Sequence, residues 1–233
     1  MNSIIPYIHL TVYFGSLVTS LLCLRVRTKP AYLRFFFIYP LLAFLITCNS
    51  YLQNIPAYSA LLPAGLERTL LNISYIFHLG ILGWVINQNI PGDFFPVSRK
   101  LIYYISLLLV LTIFIMGGFT EKLGLAYGLT NLVLLVLCFI YDYQIFEKNT
   151  VHLLEDPGFW IVNGILLGMV VTVPINFSGN YFQERGNQEI ILTLKRIGFG
   201  GYIIMHLFFI RAGMGVVVMK KKHSYIFRKE IVN

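Results

Sequence analysis

Seven stretches of this 233-residue chain run for about twenty residues with hardly a charge, and each is long enough to cross a bilayer as a helix. A hydrocarbon core about 30 Å thick offers no water to the backbone, so a spanning segment must satisfy its own N–H and C=O groups, which a helix does. The stretches cover residues 4–24, 32–52, 66–90, 101–119, 123–146, 157–177 and 189–219. RVRTKP separates the first two and PGDFFPVSRK the third and fourth, whereas TEK at 120–122 is all that parts the fourth from the fifth. Joining those two would give roughly 45 residues, far too long for one crossing. The expected fold is therefore all-α: a polytopic membrane protein with seven transmembrane helices.

Composition agrees, with 57% hydrophobic residues, 12% charged residues and a mean hydropathy of +0.73. A soluble domain is nearer a quarter charged. The net charge of +8 does not indicate nucleic acid, because the basic residues fall in short clusters between apolar runs, the pattern of membrane topology. Twelve of the eighteen Lys and Arg residues fall on one side, among them Arg25, Arg27, Arg99, Lys148 and Lys220 to Lys222, against five on the other; Arg211 lies within the last stretch. The expected orientation has the N-terminus outside and the C-terminus cytoplasmic, in a cell inner membrane. Residues 1–219 form the bundle, and 220–233 a basic cytoplasmic tail placed against anionic lipid. The start MNSIIPYIHL has no basic region of the kind that opens a signal peptide. Cys23, Cys48 and Cys138 form no CxxC pair and read as buried thiols; no metal and no cofactor is expected.

The sixth stretch, opening EDPGFWIVNGILLGMVVTVP, carries the densest local signals. Asp156 is an N-cap acceptor and Pro157 suits the first helical position. Gly164 and Gly168 make a G-x-x-x-G pair beside Asn163, a packing seam for another helix of this chain or for a second copy. Pro174 removes a ladder hydrogen bond and permits a bend.

Polar residues within apolar helices are the remaining candidates. His78 and His206 fall in the middle third of their helices, where neutral imidazoles bonded to Asn131 or Asn163 compete with a proton relay. No Asp or Glu is central to any helix, which counts against ion-coupled transport. At the outer mouth, Glu67, Arg68, Asn72 and Tyr75 open the third helix, Asn176 and Asn180 follow the sixth, and Lys195 and Arg196 head the seventh. If those three helices are neighbours, these groups line a pocket for an acidic or polar ligand. No HExxH, GxSxG or paired-carboxylate pattern occurs, so an enzyme is not expected.

The run Asp156, Pro157, Phe159, Trp160, Ile161, Gly164, Leu166, followed by Gly179, Asn180 and Phe182, resembles the (N/D)P-x-FWI-x-x-G-x-L … GN-x-F pattern of small seven-helix inner-membrane proteins of Bacteroidota-type bacteria. Similar helical blocks there are associated with sensor histidine kinases. The resemblance implies a non-enzymatic sensor-like or accessory module whose partner, a membrane or cytoplasmic signalling protein, is a separate chain. The alternative is a small transporter or channel for a polar solute.

Overall fold

The computed structural model describes residues 4–26, 31–52, 66–90, 96–118, 124–147 and 153–231, without the side chains of 4–6, 67–68, 91–99, 102, 124–125, 179–180, 183–184 and 219–231. Among the described residues the chain is helical, with no strand. The helices are α1 (Ile4–Leu24), α2 (Ile38–Leu52, preceded by the short turn Leu33–Phe36), α3 (Leu66–Phe77, His78–Leu82 and Gly83–Asn89 in continuous succession), α4 (Pro96–Gly117), α5 (Gly124–Glu147), α6 (Pro157–Glu184) and α7 (Gln188–Ile231). Six candidate spans are long and apolar enough to cross a membrane; the apolar part of α4, Tyr103–Gly117, is shorter. The 120–122 link and the connection at 53–65 lie outside the described residues.

The bundle distributes its residues in the way a lipid solvent demands. Leu108, Ile115 and Met116 of α4 and Phe139 and Phe146 of α5 are more than half exposed, while His206, Asn131, Thr130 and Asn72 are wholly buried. Aqueous folding would invert that arrangement, since exposed apolar patches of this extent are rare on soluble monomers. In hydrocarbon, large side chains outside cost nothing and polar ones belong within.

Helix α6 packs most extensively on α7, α5 on α6, and α1 on α7. Helix α2 lies against α1 and α3, and α3 against α5, so α1, α7, α6, α5, α3 and α2 close a ring with α4 outside on α3 and α5. Among the described side chains, helix α4 buries a stripe of Tyr103, Val110 and Phe114, the i, i+7, i+11 face of a helix touching its neighbours on one side.

Glycines set the closest approach within the ring. A Cβ on Gly164 would lie 2.6 Å from Phe208 Cβ and 3.1 Å from the Met205 carbonyl oxygen; one on Gly168 would lie 3.2 Å from Met205 Cβ. Opposite them, a Cβ on Gly201 of α7 would meet Val171 at 2.9 Å. The seam thus joins α6 to α7 of the same chain, with small residues bringing the two backbones together. Asn163 faces elsewhere: its Nδ2 donates to Asp142 Oδ1 on α5 at 3.3 Å and to the Phe159 carbonyl at 3.0 Å.

Helix α6 starts as its sequence dictates. Gly158 N–H donates to Asp156 Oδ1 at 2.9 Å, the N-cap bond, and Trp160 Nε1 donates to the Leu154 carbonyl at 2.8 Å. Its far end differs from the sequence reading. The helix continues through Pro174 to Glu184, so Asn176 and Asn180 lie within it rather than after it. Proline lacks only its own N–H, and the amides beyond it still bond in the ladder. Helix α7 likewise continues past residue 219 to Ile231, a length of about 66 Å at 1.5 Å per residue.

Candidate functional site

The middle of α3 departs from α-helical winding. Residues His78–Leu82 form a π-helical turn, in which each N–H reaches one residue further back. Such a turn alters the carbonyl pattern, and the Tyr103 hydroxyl of α4 donates to the Gly80 carbonyl at 2.7 Å. Gly83 leaves room for that tyrosine ring, since a Cβ there would lie 2.7 Å from it. The turn places His78 toward the ring interior, where it is buried.

Around His78 the interior is aromatic. The Tyr39 ring meets His78 edge-on at 5.1 Å and stacks on His206 at 5.8 Å. Tyr13 covers the other side of His206 at 3.9 Å. His206 is fully buried, and neither ring nitrogen makes a hydrogen bond within the protein; His78 Nε2 makes none either. The expected bonds from these imidazoles to Asn131 or Asn163 are absent. Asn131 Nδ2 instead donates to Thr172 Oγ1 at 3.0 Å, and Thr172 Oγ1 donates on to the Gly168 carbonyl at 2.9 Å. The histidines are held by ring packing against tyrosine faces.

Above this floor, at the end of the bundle where α1 and α3 begin and α2 ends, lies a cavity of about 330 Å³ between α1, α2, α3 and α7. That volume falls within the range of small-molecule sites. His9 and Tyr13 line it from α1, one turn apart; Tyr39, Ala43 and Tyr51 from α2; Ser74 and Tyr75 from α3; Phe199 and Tyr202 from α7. None of its fifteen described lining residues is Asp, Glu, Lys or Arg. His9 Nδ1 lies 3.3 Å from the Tyr51 hydroxyl, and its Nε2 makes no hydrogen bond within the protein. When Tyr51 donates to Nδ1, the ring proton sits on Nε2, which becomes an unused donor. The Tyr75 and Tyr202 hydroxyls are 3.4 Å apart, and Tyr75 stacks on Tyr127 at 4.2 Å.

This cavity joins α3 and α7 to α1 and α2, whereas the outer pocket expected from the sequence joined the third, sixth and seventh helices. Of its expected residues Tyr75 lines the cavity. Asn72 is buried behind it and accepts a hydrogen bond from the Tyr127 hydroxyl. Asn176 is half-buried, its Nδ2 without a partner in the protein. Lys195 and Arg196 are exposed and do not line the cavity. The side chains of Glu67 and Arg68 lie outside the described residues. His9 and Tyr13 escaped the sequence reading; their i, i+4 spacing near the start of α1 is the signal that marks them.

Among the described residues no three His, Cys, Asp or Glu side chains are grouped so as to hold a metal ion. The site offers hydrogen-bonding hydroxyls and flat aromatic walls. It is suited to holding an uncharged molecule. No family model matches the chain, and no curated protein and no solved structure is significantly similar to it.

Proposed function

We propose that this protein is a non-enzymatic, ligand-responsive module of a bacterial inner membrane, crossing it seven times with the N-terminus outside. It acts on a separate signalling protein at its cytoplasmic end. One observation carries the reading: α7 lines the cavity with Phe199 and Tyr202 and then runs unbroken to Ile231. A helix transmits a tilt or shift along its length, so a ligand that favours one packing of Tyr202 biases the position of the far end. The basic residues Lys220 to Lys222 belong to that end. The glycine seam supports the reading, because Gly164, Gly168 and Gly201 couple α7 closely to α6, so that a shift of one helix is felt by the other. The resemblance of FWIVNGILLG and GNYF to membrane blocks associated with sensor kinases points the same way.

The test fills the cavity and reads the far end. Ala43→Trp occupies space between α2 and α7, and spin labels at Arg25 and Val218 report the α1–α7 distance in lipid nanodiscs. The expected result is a displaced distance distribution in the filled variant; an unchanged one removes α7 as the transmitting element. Deleting residues 220–233 is expected to abolish partner capture while leaving membrane insertion intact.

A transport reading has one observation in its favour. Buried polar atoms without a protein partner occur from His9 and Asn176 at one end, through His78, His206 and Asn131, to Tyr141 and Gln144 toward the other. Most native buried polar atoms are paired, so such a series suits a hydrated path for a small polar solute. Solute uptake into proteoliposomes that His206→Phe abolishes would establish that reading instead.

A further inference from the structure

The cavity does not end at its aromatic walls. A second hollow of about 180 Å³ lies between α2 and α3, lined by Leu42, Leu45, Ile46, Leu70, Ile73, Ser74 and Phe77. Four of these, Leu42, Ile46, Ser74 and Phe77, also line the main cavity, so the two hollows share a wall. Leu45 and Phe77 are about half exposed, at 53% and 45%, on the outer surface of the bundle. In a membrane that surface faces hydrocarbon. The second hollow is thus an apolar crevice beside a hydrogen-bonding chamber, with Leu42, Ile46, Ser74 and Phe77 between the two.

We infer that the ligand is a membrane-dissolved amphiphile that enters sideways between α2 and α3, with an uncharged, planar, oxygen-bearing head in the main cavity and a hydrocarbon tail in the crevice. This rests on the proposed ligand-responsive reading and names the ligand class for it. Three features of the site select that chemistry. Among the described lining residues there is no Asp, Glu, Lys or Arg, so an ionic head finds no partner among them, and a buried charge without a partner is strongly disfavoured. The walls of Tyr13, Tyr39, Tyr75 and Phe199 favour a flat ring over a branched one. The hydroxyls of Tyr51 and Tyr202 supply hydrogen bonds to oxygen, Tyr51 when the His9 Nδ1–H donates to it. A lipid quinone or its quinol has all of these: a flat uncharged ring, two opposed oxygens and an apolar tail. A phospholipid does not, since its phosphate would find no cation among the described lining residues.

The probes are a radiolabelled benzoquinone bearing a decyl tail and the same benzoquinone without a tail, added to the full chain in nanodiscs with empty nanodiscs as the partition control. Saturable binding of the tailed probe is expected. His9→Phe and Tyr51→Phe each weaken it by about tenfold, the scale of one lost hydrogen bond in an apolar site. Leu45→Trp fills the crevice without touching the main cavity. It is expected to weaken the tailed probe at least tenfold and leave the tailless one unchanged. Two further results overturn the inference: binding no greater than partition, or tailed and tailless probes binding alike with Leu45→Trp affecting neither. A tailed quaternary ammonium that displaces the quinone at lower concentration overturns the uncharged head and assigns the tyrosines to a cation cage. The ligand-responsive reading is judged separately, by the α1–α7 distance in Ala43→Trp, so either can fail while the other stands.

Discussion

Glycines and single hydroxyls decide the local geometry around the site. Gly164 approaches the Met205 carbonyl, which cannot move aside as a flexible side chain can. Gly164→Leu is expected to destabilise the detergent-solubilised protein by about 1–3 kcal/mol, the range of overpacked sites, seen as a lower thermal midpoint. Gly200 on α7 has no atom within 4 Å of a built Cβ, and Gly200→Ala is expected to leave the midpoint unchanged or slightly raised. Equal effects at both positions would mean that the seam does not set the α6–α7 distance. The Tyr103 hydroxyl has a comparable role at the π-turn. Tyr103→Phe removes its bond to Gly80 and is expected to cost about 0.5–1.5 kcal/mol, with faster hydrogen exchange confined to residues 78–84. Both positions were visible as residue types in the sequence, but only Gly164 announced its use, through its spacing from Gly168. A tyrosine in an apolar helix gives no sign of which carbonyl it will reach.

Helix existence and approximate limits were legible because lipid imposes a length on every spanning segment. The 4–24 stretch coincides with α1, and the others agree closely at most of their ends. Four ends differ: α2 begins at Ile38 after the separate turn Leu33–Phe36, α4 begins earlier at Pro96, and the far ends of α6 and α7 are polar extensions beyond the apolar stretch, where hydropathy stops reporting and backbone bonding continues. Partner choice between elements was much less legible. Asn163 adjoins Gly164 in sequence, yet the two side positions point to α5 and α7, about 100° apart on the helix. Its partner on α5 is Asp142, five residues before that helix ends at Glu147. A double-mutant cycle of Asp142→Leu and Asn163→Leu is expected to give a coupling energy of about 0.5 kcal/mol or more. Additivity would mean that the α5–α6 contact does not depend on this pair.

On the scale of the whole molecule, the proposed seven-span topology makes its own demand on the loops. Reporter fusions ending at residue 148 are expected to fold in the cytoplasm and those ending at residue 122 outside, with the shorter apolar stretch of α4 completing the alternation. A cytoplasmic fusion at 122 with an outside one at 148 would remove α4 as a span. The ring closure of α2 on α1 and α3 gathers His9, Tyr39, Tyr75 and Tyr202, from four helices, around one chamber. These residues are spread over nearly 200 positions of sequence, and none forms a motif with another outside its own helix.

The sequence by itself determined that this chain is helical and belongs in a membrane, and it marked where most helices begin. Those properties follow from one-dimensional quantities: the length of an apolar run, a capping acceptor at Asp156 and small residues four apart. Only the tertiary structure decided that the glycine seam joins α6 to α7, and that the cavity lies between α1, α2, α3 and α7. In lipid the outward residues of every helix are alike, so hydrophobicity does not say which helix is whose neighbour. That choice is made by the fit of small and aromatic side chains across each contact.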